Sequence, residues 1–245
     1  MIVTATRWYA LVAVVLLLAG CASSASPSRS PSPDPAANAR YALDASKIGT
    51  TWTYTVSGSN GSHERKTLTL TAVSRQGNDV VLSIVRKLPG RADQTLRYVN
   101  HPDGSESIPW DTAFSAAGLT VTRKTGDIIL PGADVLASEA VRTSKLTFTL
   151  SDGQHSEHVQ YTAKTNGAGR QRVTVAAGTY TTQVVHVDIT GATARERIEQ
   201  SLTYYLAAGV GTVKLVGTVT ETGAKAHGPV HSSEELQSMT SHQSG

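Results

Sequence analysis

Histidine and carboxylate side chains offer this chain its most reactive groupings. His155 and His158 stand three residues apart beside Asp152 and Glu157, and His227 and His231 stand four apart around Pro229. Imidazole and carboxylate are zinc ligands, so both groupings invite a metal reading. On a strand, however, residues three apart point to opposite faces, and His155 converges with His158 only if it lies in a turn. His227 and His231 have no carboxylate nearer than Glu234. Both groupings are read as solvated loop histidines. His186 and Asp188, two apart in the apolar run Val184 to Ile189, share a strand face and have the residue types of an acid/base pair. No nucleophile can be assigned to them, and they read as a mutually hydrogen-bonded surface or cavity pair. The chain lacks a Gly-x-Ser-x-Gly elbow, a Walker loop, His-Glu-x-x-His and Cys-x-x-Cys. Gly209 and Gly211 lack the third glycine and the following helix of a dinucleotide fingerprint. The expectation is a protein that is not an enzyme and carries no cofactor or metal.

Composition narrows the field further. With 245 residues, 39% of them hydrophobic, the chain is neither wholly disordered nor a polytopic membrane protein. A net charge of +3 over this length is too weak to argue for nucleic acid, and a lone cysteine allows neither a disulfide framework nor a cysteine-based zinc site. That cysteine, Cys21, follows Arg7 and the apolar run Trp8 to Ala19. A run of about a dozen residues is too short to span a bilayer, which takes about 20, but it suits a secretion signal.

Leu18-Ala19-Gly20-Cys21 resembles the lipobox of bacterial lipoproteins, in which a branched apolar residue and two small residues precede the cysteine. The resemblance implies a signal peptide at 1–20, with Leu18, Ala19 and Gly20 recognised by the signal peptidase. It also implies a diacylglyceryl group on the Cys21 thiol and acylation of the new amine. Two or three acyl chains make such an anchor stable, where one holds only marginally. Residues 21–40 then form the lipidated cysteine and a tether rich in Ser and Pro, with Pro27, Pro31, Pro33 and Pro35, reaching ~3 Å per residue where polyproline-like. The expected location is the cell membrane, anchored through acylated Cys21 on the extracytoplasmic face.

Residues 41–240 read as one domain, which at this size buries about 70% of the surface its unfolded chain exposes, and 241–245 as a disordered tail. Thr51 to Val56 alternates strictly, with Trp52, Tyr54 and Val56 on one face, and after a Gly-Ser-Asn-Gly turn Leu68, Leu70 and Ala72 repeat the pattern. Similar alternation follows at Val80 to Ile84, Leu96 to Tyr98, Leu119 to Thr122, Leu146 to Leu150 and Val159 to Ala163. Strands at this spacing with turn residues between them predict an antiparallel sheet. A helix is predicted at Ala133 to Arg142 and a single helical turn at Thr112 to Ala117. Between Glu64 and Arg97 there is a local excess of four positive charges, contributed by residues including Lys66 and Arg86. It reads as a solvated face, or one turned to an anionic leaflet.

Val173-Thr-Val-Ala-Ala-Gly-Thr-Tyr180 and Thr203-Tyr-Tyr-Leu-Ala-Ala-Gly-Val-Gly-Thr-Val-Lys214 resemble a signature of a large group of uncharacterised bacterial envelope proteins, with a weaker echo at Glu235-Leu236. There a strand ends in a Pro-Ala-Gly-Thr-aromatic turn, and a later aromatic-rich strand turns at Ala-x-Gly-Val-Gly. This chain has Ala176 where proline is common and Tyr204 where tryptophan is common. The resemblance implies an envelope β-domain and carries no shared activity.

The expected fold is mainly β: an antiparallel, strongly curved sheet or half-open β-barrel with at most one or two short helices, or alternatively a β-sandwich. By analogy with carriers of lipids and lipoproteins in bacterial envelopes, the expected function is a non-catalytic binding module for a hydrophobic envelope ligand, such as a lipid. Trp52, Tyr54, Leu68, Leu70, Phe148, Tyr161, Tyr204 and Leu215 are the candidate cavity lining. The alternative is a structural module that binds an envelope protein partner through its surface, with an envelope hydrolase third.

Overall fold

Alternation of apolar and polar residues runs through nearly every described segment and builds strands throughout. The structure is a computed structural model, and it describes residues 48–59, 61, 63–110, 119–138, 140–193, 196–223 and 229–241. The expectations for the signal peptide, for Cys21 and the tether, for Thr112 to Ala117, for His227 and for the tail beyond 241 lie outside the described residues. Thirteen strands are described: β1 (Thr51–Gly58), β2 (His63–Gln76), β3 (Asp79–Lys87), β4 (Gln94–Asn100), β5 (Glu106–Ile108), β6 (Thr120–Gly126), β7 (Ile128–Leu130), β8 (Arg142–Ser151), β9 (Ser156–Val175), β10 (Gly178–Ala192), β11 (Glu196–Ala207), β12 (Gly211–Gly223) and β13 (Val230–Thr240). One helix, α1 (Ala133–Ala137), interrupts them.

All thirteen strands join one sheet in the order β6-β8-β9-β10-β11-β12-β13-β1-β2-β3-β4-β5-β7, and the pairings within it are antiparallel. The two edge strands, β6 and β7, are neighbours in sequence, separated only by Asp127. The chain therefore steps from one edge of the sheet to the other, and the sheet curls almost into a closed barrel. β6 follows β8 as far as the pair Gly126 and Leu146, and at Ile129 in β7 the backbone N–H donates to the Ser144 hydroxyl of β8 at 3.2 Å. Gly126 makes the step possible: its φ is +74°, and a Cβ there would overlap the Lys145 carbonyl oxygen. Near closure brings the two edge strands of the sheet together, away from another chain.

The helix is shorter than its pattern predicts. It ends at Ala137, where the Ser138 N–H reaches the carbonyls of both Asp134 and Val135 and its hydroxyl donates to Val135 at 2.7 Å. Arg142, expected within the helix, instead opens β8 and pairs with Thr165. The β-branched alternation that follows favours the ladder over another helical turn. β9 is also longer than expected, running unbroken to Val175. β8 leaves β9 at Thr165, and β11 joins β10 only from Gln183 onward. The far part of the β9–β10 hairpin is thus a two-stranded arm paired only with itself.

The arm folds over the barrel and completes its core. Val173, Val175, Ala177 and Tyr180 pack with Trp52, Leu70, Leu82, Ile84 and Leu236, and the Ala177 N–H donates to the Leu236 carbonyl at 3.2 Å. Trp52 sends its indole N–H to the Val210 carbonyl at 2.9 Å. The three signature segments, Val173 to Tyr180, Thr203 to Lys214 and Glu235-Leu236, therefore meet in one place. A second cluster gathers Ile128, Leu136, Leu146, Phe148, Val159, Tyr161, Val187 and Leu202.

Candidate functional site

Between the two clusters lies a cavity of about 180 Å³. Most wall residues reach it by the period-two rule of their strands. Tyr54 comes from β1, Lys66 and Leu68 from β2, Arg86 from β3, Leu96 and Tyr98 from β4, and Glu106 and Ile108 from β5. Gln200, Leu202, Tyr204 and Leu206 come from β11, Thr212 and Leu215 from β12, and Glu234 from β13, while Trp110 follows β5. Most of this wall is apolar or aromatic, with ionic groups set into it.

Those ionic groups are ordered. Tyr54 stands opposite Lys66 in the β1–β2 register, and Val56, two residues on, stands opposite Glu234 in the β1–β13 register. Lys66 reaches across β1 to donate to Glu234, with its Nζ 4.8 Å from the centroid of the Tyr54 ring. Tyr54 donates its hydroxyl to the Thr212 carbonyl at 2.9 Å. Arg86 donates from Nη2 to the Gln94 amide oxygen, which fixes its guanidinium, while its buried Nε has no partner. Loss of hydration lowers the Arg86 pKa, partly offset by Tyr98 and Glu234. Burial pushes the Tyr98 and Tyr204 phenols well up, helped by Glu106 and Glu234. Glu106 is 7% exposed and Gln200 5% exposed, and the buried Oε1 of Gln200 has no hydrogen-bond partner.

Of the lining expected from sequence, Tyr54, Leu68, Tyr204 and Leu215 border the cavity. Trp52 and Leu70 pack in the cluster under the arm, and Phe148 and Tyr161 stack on one another in the second cluster, their ring centroids 6.0 Å apart. Sequence reasoning missed the polar members of the wall. Lys66 and Arg86, counted above in a solvated basic face, turn inward, which corrects that reading. The signal was present: Lys66 is two residues before Leu68, Arg86 two after Ile84, Gln200 two before Leu202 and Glu234 two before Leu236. Each extends the inward face of its strand by one step.

Among the described residues the histidine groupings do not assemble into sites. His155 lies in the turn before β9, with its Nδ1 3.6 Å from Asp152, whose pKa two backbone N–H groups lower, while His158 lies within the strand. His186 and Asp188 do not bond each other; His186 Nδ1 lies 3.0 Å from the Thr203 hydroxyl, and Asp188 accepts from the Ser201 hydroxyl at 2.8 Å. His231 lies 2.9 Å from the Thr218 hydroxyl. Among the described residues no three His, Cys, Asp or Glu side chains gather as metal ligands. One relay was not foreseen: His101 Nδ1 is 3.0 Å from Asp79, and its Nε2 is 2.8 Å from the Ser107 hydroxyl. These are the residue types and contacts of a hydrolase triad. Ser107, however, is 4% exposed and its short strand is paired on both sides, so the relay stitches β3, β4 and β5 together and gives a substrate carbonyl no approach.

No protein-family model matches the chain, and no curated protein does. Solved structures do resemble it. A candidate lipoprotein from Parabacteroides distasonis superimposes with a TM-score of 0.57 at 13% identity, covering 82% of this chain and 99% of its own. A candidate exported protein with a YmcC-like fold from Bacteroides fragilis gives a TM-score of 0.52 at 14% identity, with the same coverage of each chain. At these identities the likeness is one of fold, and the nearly closed antiparallel barrel described here is that fold.

Proposed function

We propose that this protein is an extracytoplasmic lipoprotein, anchored by acylated Cys21, whose barrel is a non-catalytic binding module for an amphipathic ligand of the cell envelope. The observation that carries the reading is the cavity itself, a void between two filled apolar clusters with ionic and aromatic groups set into one wall. A core built only for stability is close-packed, and an empty space costs stability. The resemblance of Leu18 to Cys21 to a lipobox supports the location. Native mass spectrometry of the Cys21→Ser chain, exported in a bacterial envelope and purified without detergent, tests both parts. Release from the membrane fraction together with a stoichiometric adduct of lipid mass is the expected result. A chain that stays in the membrane fraction overturns the anchor.

A second reading draws on the size of the same cavity. At about 180 Å³ it is smaller than the ~300–1,000 Å³ common for sites that enclose a whole small molecule. A surface module for an envelope protein partner needs no larger space. A clean apo mass, joined to failure to bind a fluorescent fatty acid, favours this alternative.

A further inference from the structure

We infer that the part of the ligand held in the cavity is an uncharged, hydroxyl-bearing head, of the kind found on a monoacylglycerol or a sugar-headed acyl lipid. This rests on the binding function proposed above and narrows it to a chemical class.

Size comes first. A space of about 180 Å³ admits a glycerol-sized head and not a whole acyl lipid, so the chain would leave along the apolar wall of Leu68, Leu96, Ile108 and Trp110. Charge comes second. The ionic groups of the wall are Lys66 and Arg86 against Glu106 and Glu234, which balance, and Lys66 is already paired with Glu234. A phosphate or carboxylate entering here would bring a charge for which the wall holds no surplus cation, in surroundings where an unpaired charge is costly.

Hydrogen bonding comes third. The wall residues Arg86 and Gln200 carry one donor and one acceptor without partners, the Nε–H of Arg86 and the Oε1 of Gln200. Buried polar groups are nearly always satisfied, and exceptions call for an explanation. A hydroxyl can take either role, and a diol can accept from Arg86 with one group and donate to Gln200 with the other. A bare carboxylate or a quaternary ammonium supplies at most one.

The experiment measures binding of monolauroylglycerol, laurate and dodecylphosphocholine to the Cys21→Ser chain by calorimetry below their critical micelle concentrations. The three share a chain length and differ in the head. Monolauroylglycerol is expected to bind about tenfold more tightly than either of the others, as hydrogen bonds to a buried charged donor and a buried amide allow. Gln200→Leu should reduce that preference severalfold, and Arg86→Met provides the second variant if Gln200→Leu does not fold. Equal or tighter binding of laurate or dodecylphosphocholine overturns the inference and leaves the binding function standing, as does a preference that survives in the folded variants. Failure of all three amphiphiles to bind overturns both.

Discussion

Lys66 and Glu234 meet over the ring of Tyr54, joining β2 to β13 across the strand between them. Their side chains are only 13% and 19% exposed, so neither charge is well hydrated once its partner is gone. Breaking such a pair from one side costs more than removing it whole, because a lone charge remains. Lys66→Met is therefore expected to destabilise the protein by about 2 kcal/mol, short of the ~3–5 kcal/mol seen for fully buried pairs. Lys66→Met combined with Glu234→Leu should cost less than Lys66→Met alone. Urea unfolding of the two single variants and the double variant checks this, and strictly additive costs would show that the pair is not coupled.

The β11–β12 hairpin is tied to β1 by two side chains, and they should differ in cost. Trp52→Phe removes the hydrogen bond to Val210 and leaves space in a cluster where the ring is 1% exposed, so a loss of about 2–3 kcal/mol is expected. Tyr54→Phe loses only the hydrogen bond to Thr212 and no ring volume, for about 1 kcal/mol. Chemical denaturation with tryptophan and circular dichroism signals orders the two. A larger loss for Tyr54→Phe would contradict the arrangement.

Much of the barrel is legible in the sequence, because period-two alternation is a local signal. Trp52, Tyr54 and Val56, or Leu146, Phe148 and Leu150, announce a strand and its inner face without reference to anything distant. What could not be read is long-range. Nothing local tells that β7 continues beside β8 where β6 stops, or that the arm of β9 and β10 leaves the sheet to cover Leu236. The polar wall was missed for a different reason. Lys66, Arg86, Gln200 and Glu234 obey the alternation, but charged and amide side chains are usually solvated, and that habit outweighed the period. Only closure of the sheet turns them toward a shared cavity.

Gly167 stands where the arm departs from the sheet, and α1 crosses it so closely that a Cβ would overlap the Leu136 carbonyl oxygen. Leu136 is 1% exposed and belongs to the second cluster, so the helix cannot lift away without opening that core. Gly167→Ala is expected to cost about 1–3 kcal/mol, the range for overpacking a filled site. Gly153→Ala is a poor control because its φ of +90° adds strain of its own. Thermal melts of Gly167→Ala check the contact, and an unchanged melting temperature would mean that α1 does not rest on β9.

Alkaline pH should unfold the barrel through its tyrosines. Tyr54 and Tyr161 are each 2% exposed, and Tyr98 and Tyr204 face the cavity; burial raises all four phenols above their ordinary value of 10.0. Below pH 10.0 both folded and unfolded chains keep these protons, and the groups have no effect on pH dependence. Above it the unfolded chain loses them while the folded one holds them, so the unfolded state is favoured increasingly as pH rises. Each such tyrosine contributes up to about 1.4 kcal/mol per pH unit over that window. Absorbance at 295 nm should therefore rise in a cooperative step that coincides with loss of the β-sheet circular dichroism signal. Tyr161→Phe, which lacks the ionisable hydroxyl, should weaken the fall of stability with pH above 10.0, measured by urea unfolding at successive pH values. Ionisation of every tyrosine near its ordinary pKa with the sheet intact would show that water reaches these side chains and that the core is more open than described.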